Sequence, residues 1–111
     1  MPTFLPTDDN NNPIPALRLR DGGAHKITVG AAAAKNAVAF DPGTQVVSVY
    51  ATAPVFLKFG GASVAATTSD HYFPANIYYD LAIGGEDTGQ ASFVSALRAE
   101  TDCTVYVSEK F

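Results

Sequence analysis

Ser69-Asp70-His71 brings together the three residue types of a nucleophilic hydrolase relay. Neighbouring residues of an extended chain point to opposite sides, so this tripeptide does not form the relay by itself. The G-x-S-x-G turn that exposes a hydrolase serine is not in the sequence. A metal centre needs clustered His, Cys, Asp or Glu. His25, His71, Asp70, Asp80 and Cys103 are scattered and show neither C-x-x-C nor H-x-x-x-H spacing. Three glycine pairs, Gly22-Gly23, Gly60-Gly61 and Gly84-Gly85, lack the G-x-x-x-x-G-K-[ST] and G-x-G-x-x-G forms that cradle phosphate. They are read as hairpins and loops. Tyr72, Phe73, Tyr78 and Tyr79 form an aromatic cluster. Exposed rings of this kind stack on sugars or bases, whereas alternating aromatics in strands more often pack across the sheet. Cys103 reads as a small strand hydrophobe. No catalytic residue, cofactor or metal ligand is assigned.

Composition narrows the function classes. The chain has 111 residues, 47% hydrophobic and 16% charged, with a formal net charge of −4. One domain of this size buries about two-thirds of its unfolded surface, enough for a core without staples. The balance excludes a disordered chain. The negative charge argues against a nucleic-acid phosphate binder. No apolar run reaches the roughly 18 residues of a membrane span, so no membrane partner is expected. The first twelve residues, MPTFLPTDDNNN, lack the basic and apolar regions of a signal peptide. A single cysteine fits folding in a reducing cytosol.

The elements that position these residues are short strands. Residues 1–13 form an extended, proline-punctuated arm in which Phe4 and Leu5 are the apolar residues. It is read either as a frayed terminus or as an arm that docks on a neighbouring subunit. Residues 14–111 form a single domain. Leu17 and Leu19 alternate with Arg18 and Arg20, which places the arginines on a solvated face or against an acidic partner. Asp21-Gly22-Gly23 is expected to turn the chain, with His25–Val29 returning as a second strand. Residues 30–36 read as a loop or a small helical turn, and Val38–Phe40 as a strand. Asp41-Pro42-Gly43-Thr44 has the residues of a type II turn.

The stretch from Gln45 to Ile83 carries most of the β-branched and aromatic residues. Val47, Val49 and Ala51 alternate with Ser48, Tyr50 and Thr52, as in a half-buried strand. Val55–Phe59, Gly60-Gly61 and Ala62–Val64 read as a hairpin with a primed turn. Pro54 belongs at a strand start or edge. His71–Phe73 and Ile77–Ile83 read as strands, and residues 84–90 as an acidic loop. The closing pair, Ala91–Arg98 and Cys103–Ser108, is expected to be a hairpin, with Phe93, Ser95 and Leu97 on the same apolar side as Val105 and Val107. About eight or nine short strands without an amphipathic helix predict an all-β fold. Its architecture is an antiparallel β-sandwich or small jelly-roll-like barrel with an extended N-terminal arm.

Three pieces carry a resemblance: VYATAPVFLKFGG (residues 49–61), DHYFPAN (residues 70–76) and TDCTVYVSE (residues 101–109). Together they resemble small virion proteins encoded in the head–tail modules of tailed bacteriophages and related gene-transfer particles. The resemblance implies a non-enzymatic β-sandwich component of a virion assembled in the bacterial host cytoplasm. It points first to a capsid decoration or cement protein that binds and stabilises the head shell, with tail, neck or head-fibre roles as alternatives. The implied partners are the major capsid protein or other virion proteins and further copies of the chain. The group offers no active-site residues to carry over. Phe4, Leu5, Arg18, Arg20, Tyr72 and Tyr78 are the candidate interface residues. A rival reading is a carbohydrate-binding sandwich that uses Tyr72, Tyr78 or Tyr79 with Asp80. It requires those rings to lie together on one exposed face.

Overall fold

The computed structural model describes residues 18–84 and 89–110. Among the described residues there are eight strands and no helix. The strands are β1 Leu19–Val29, β2 Ala34–Lys35, β3 Val46–Ala51, β4 Val55–Gly60, β5 His71–Phe73, β6 Tyr78–Ala82, β7 Phe93–Arg98 and β8 Cys103–Lys110. They pair as one ribbon folded back on itself. β4 pairs with β5 at the tip, followed by β3 with β6, β2 with β7 and β1 with β8, all antiparallel. Two cross pairs, β3 with β8 and β4 with β7, roll the ribbon into two sheets. Their orders are β1-β8-β3-β6 and β2-β7-β4-β5. This is the double-sheet jelly roll. The all-β antiparallel sandwich expected from the sequence is therefore the observed fold. The expected arm, with Phe4 and Leu5, lies outside the described residues.

Strand alternation builds the core. Val47, Val49 and Ala51 of β3 point inward, as their spacing predicts, beside Ile27 and Val29 of β1 and Val105 and Val107 of β8. They meet Val55 and Leu57 of β4 and Val94 and Ala96 of β7 from the other sheet. Burying a Val, Leu or Ile side chain fully contributes about 1.5–3 kcal/mol, so these two inner faces hold the sandwich together.

Several local expectations are corrected. Asp21-Gly22-Gly23 does not reverse the chain, and β1 continues through it as one strand along β8. Between Leu19 and Ala24, β1 takes five residue steps where β8 takes two, so the glycines form a bulge. Gly22 adopts the left-handed region there, with φ of 77°. Ala34–Lys35 of the expected loop pairs with β7, whereas Val38–Phe40 is not a strand. The turn at 41–44 closes with Thr44 N–H donating to Asp41 O at 2.9 Å, but Gly43 lacks the positive φ of type II. Gly60-Gly61 also lacks the positive φ of a primed hairpin. Gly60 ends β4, and residues 61–70 fold back as a loop over the outer face of the β2-β7-β4-β5 sheet. There Ala66 N–H donates to the buried Ser95 Oγ at 2.9 Å, and Lys35 Nζ donates to Ala62 O.

The closing hairpin is the largest correction. β7 and β8 lie in different sheets. The inward residues of β7 are Val94 and Ala96, not Phe93, Ser95 and Leu97. Ser95 is buried from the opposite side, beneath the 61–70 loop. The sequence alternation of β7 points to the wrong phase because that loop hides the outer face, so both faces of the strand carry small or apolar residues.

Candidate functional site

Two regions gather chemistry. The first surrounds Glu109 at one end of the sandwich. Glu109 continues the inward phase of Val105 and Val107 on β8, so the strand drives a carboxylate into the interior. Its charge is matched by four donors. Oε2 accepts from His25 Nε2 at 2.8 Å and from Arg20 Nη1 at 3.4 Å. Oε1 accepts from Asp41 N–H and from Thr44 Oγ1, both at 2.7 Å. Arg20 Nη2 also reaches Asp41 Oδ1 at 3.4 Å. Gln90 Nε2 donates to the carbonyls of Asp41 and Thr44 at 2.6 and 2.7 Å, tying in the chain that leads to β7. The His25 ring meets Phe40 edge-on with centroids 5.1 Å apart.

Burial raises the Glu109 carboxyl, but the bonds from His25, Thr44 and Asp41 and the nearby Arg20 outweigh it and leave the group below the ordinary carboxylate range. The β1 bulge makes this possible. A Cβ on Gly23 would stand 2.9 Å from Glu109 Cβ and 3.1 Å from Arg20 O. Beside the cluster a cleft of about 500 Å³ opens between Arg20, His25, Val38, Phe40 and Pro42. A His–carboxylate pair is half of a hydrolytic relay. The hydroxyl in this cluster, that of Thr44, donates to Glu109 rather than to His25. The arrangement therefore acts as a clasp that joins β1, β8 and the Phe40–Thr44 connection.

The second region is the outer face of the β1-β8-β3-β6 sheet. The registers place Tyr78, Tyr50, Tyr106 and Lys26 side by side on β6, β3, β8 and β1. Tyr78 is 67% exposed and Tyr106 43% exposed. Tyr50 packs against Tyr78 with centroids 5.3 Å apart and planes tilted by 41°. Asn76 fixes the Tyr50 ring: its Oδ1 accepts from Tyr50 Oη at 3.0 Å while its own N–H donates to Ala51 O at 2.9 Å. Asn76 holds φ at 63°, a left-handed conformation that Asn tolerates better than most residues. Along the strands the next registered row is Asp80, Ser48 and Ser108, with Ala24 on β1. Asp80 accepts from Ser48 Oγ and from Lys110 Nζ, and both contacts hold its carboxyl below the ordinary range.

The structure separates the residues singled out from sequence. Arg18 is exposed, while Arg20 is drawn into the Glu109 clasp. Tyr72 is exposed on the other sheet, packed edge-on against Phe56 at 5.7 Å. Tyr79 points inward against Phe73, with centroids 5.1 Å apart. Tyr72, Tyr78 and Tyr79 therefore do not share one face. Ser69-Asp70-His71 is a capping turn in which Asp70 Oδ2 accepts from Thr67 N–H at 2.7 Å. Among the described residues no three His, Cys, Asp or Glu side chains group as metal ligands. Cys103 is half-buried, and burial pushes its thiol up. Sequence reasoning did not single out Tyr50, Tyr106 or Glu109. Their strand phases were readable, since both tyrosines alternate against buried valines and Glu109 lies in the buried phase. Their neighbours across the sheet were not readable. No family model, no curated protein and no solved structure matches this chain.

Proposed function

We propose that this chain is a non-enzymatic structural protein of a bacteriophage virion, and specifically a capsid decoration or cement protein that binds the head shell in many copies. One observation carries the reading. One residue from each of the three segments that resemble phage head–tail proteins meets on one surface, although β4 and β5 of the same segments lie in the other sheet: Tyr50 comes from residues 49–61, Asn76 from residues 70–76 and Tyr106 from residues 101–109. Tyr50 bonds Asn76 and is registered with Tyr106. Residues scattered along the chain thus build, with Tyr78, one exposed aromatic face, the kind of surface that a protein assembling in many copies buries against a neighbour. The jelly roll recurs in viral capsid domains and also in lectins and cupins, so fold-level analogy adds modest support. Binding by surface complementarity gains stability by mass action on assembly.

Co-sedimentation of the purified protein with mature head shells, and separately with isolated tails, tests the reading. A fixed stoichiometry on shells supports it. Binding to tails alone moves the protein to a tail component, and binding to neither overturns a virion role. Deletion of residues 1–13 is expected to weaken shell binding while the β-sheet circular dichroism persists. Full binding by the truncated protein removes the arm, with Phe4 and Leu5, from the contact.

A further inference from the structure

We propose that the outer face of the β1-β8-β3-β6 sheet binds the same face of a second copy, about a two-fold axis running parallel to the strands. The inference rests on the many-copy reading for its setting, but its chemistry belongs to the isolated protein.

The face carries three tyrosines in one row and ends in a cation. Tyr78, Tyr50 and Tyr106 are followed by Lys26 on the β1 edge. Tyrosine and other aromatic residues are enriched in protein interfaces because a large ring brings contact area with little conformational entropy to lose. The other sheet covers much of its own outer face with residues 61–70, whereas among the described residues outside the sheet only Asn76 is bonded to this tyrosine row.

Symmetry then selects the partner. A two-fold axis parallel to the strands keeps each row at its level and reverses strand order. It lays β1 of one copy over β6 of the other and β8 over β3. Lys26 then faces the Tyr78 ring of the second copy, a cation–π arrangement, and Tyr106 faces Tyr50. Asp80, 58% exposed on the β6 edge one row from Tyr78, is already paired with Lys110 of its own chain, so the complementarity across the axis is that of each Lys26 with the facing Tyr78 ring. A two-fold axis across the strands through the same row sets Lys26 against Lys26 and opposes like charges. The charge pattern therefore favours the first axis.

Size is consistent with this. Four strands at about 4.8 Å and four rows at about 6.8 Å give a footprint near 500 Å² per copy, or about 1,000 Å² in total, the lower bound for a specific interface. Sheets stacked in this way lie about 10 Å apart with nearly aligned strands.

Sedimentation equilibrium of the full chain over a wide concentration range is the test, combined with two sets of variants. The wild-type protein should dimerise. Tyr50→Ser with Tyr106→Ser should weaken dimerisation at least about tenfold, the loss expected when central aromatic anchors are truncated. Melting curves of the same variants check that the fold survives. The axis is tested by Lys26→Cys combined with Tyr78→Cys. Within one chain these positions are three strands apart, roughly 14 Å, too far for a disulfide. A bis-maleimide spanning about 8 Å reaches between facing cysteines across the roughly 10 Å gap but not across the roughly 14 Å within one chain, and should therefore give a covalent dimer, while each single variant with the natural Cys103 should not. A protein that stays monomeric at every concentration overturns the proposal. So does a dimer indifferent to the tyrosine substitutions, and a dimer that fails to cross-link overturns the axis. A monomer that still binds shells refutes this inference alone, and a dimer that ignores shells and tails refutes the virion reading alone.

Discussion

Glu109 and Tyr106 sit three residues apart on β8 and face opposite ways. Glu109 is 1% exposed and four donors converge on it, while Tyr106 stands 43% exposed in a row of rings that packs little of the core. The contrast teaches where this molecule keeps its stability and where it keeps its recognition. Buried polar groups are costly unless fully bonded, so the Glu109 clasp is a folding device whose loss the whole domain feels. Exposed rings contribute little to folding, so the tyrosine face can change without unfolding anything. Substitutions at the clasp should therefore move stability and leave association alone, and substitutions on the face should do the reverse.

The largest expected effect is at the clasp. Glu109→Ala leaves His25, Arg20, Thr44 and the Asp41 amide without their acceptor and should cost about 3–5 kcal/mol, as when one partner of a buried ion pair is removed. Chemical denaturation measures it. A loss below 1 kcal/mol would show that the cluster is solvated and that the contrast is false.

Gly23→Ala attacks the same site through the backbone. The added Cβ would press on Glu109 Cβ at 2.9 Å and on the Arg20 carbonyl at 3.1 Å, two groups that packing and bonding hold in place. Overpacking of this kind costs about 1–3 kcal/mol. On the other sheet, Ser95→Ala removes the acceptor of the buried Ala66 amide, with a cost of about 1–2 kcal/mol expected from one unsatisfied buried donor. It should also loosen the 61–70 loop, which hydrogen exchange at Ala66 would report.

Acid tests the clasp without substitution. The Glu109 carboxyl is depressed in the folded state, so its contribution is present above the ordinary Glu value of about 4.3 and is lost as pH falls through the lower folded value. The melting temperature should thus be flat with respect to this group above about pH 5 and should fall below about pH 4. Glu109→Gln should remove that part of the slope. Asp70, held down by the Thr67 amide, and Asp80, held down by Ser48 and Lys110, shift in the same direction, so a shallower slope should remain. An unchanged slope in the Gln variant would detach Glu109 from acid stability.

Alternation made the all-β class and the inward valines of β3 readable, but not the individual strands, since β1 is one strand where two were expected, Val38–Phe40 and Ala62–Val64 are not strands, and β2 lies in an expected loop. It could not give the sheet partners, because a jelly roll pairs first with last and the chain records no sign of that. Asp21-Gly22-Gly23 looked like a turn because glycine pairs serve turns and bulges alike, and the long β8 partner decided between them. Ser95 defeated the phase of β7 because a loop more than twenty residues away buries it. The clasp was half-legible in the same way. Glu109 in the phase of Val105 and Val107 announces a buried charge, but Arg20, His25, Asp41 and Thr44 come together only through the fold.

The smallest expected effect on stability is also the sharpest test of the contrast. Tyr106→Ser removes a half-exposed ring from the outer face and leaves the inward Val105 and Val107 in place. Its cost to folding should stay within about 0.5 kcal/mol, the range of ordinary surface substitutions. Asn76 still orients Tyr50, so the remaining row should hold its shape. If the ring serves recognition, the same change should lower self-association or shell binding by far more than it lowers the melting temperature. Equal losses in both would mean that Tyr106 braces the sheet through its Tyr50 neighbour, and the division between a folding side and a recognition side of β8 would have to be abandoned.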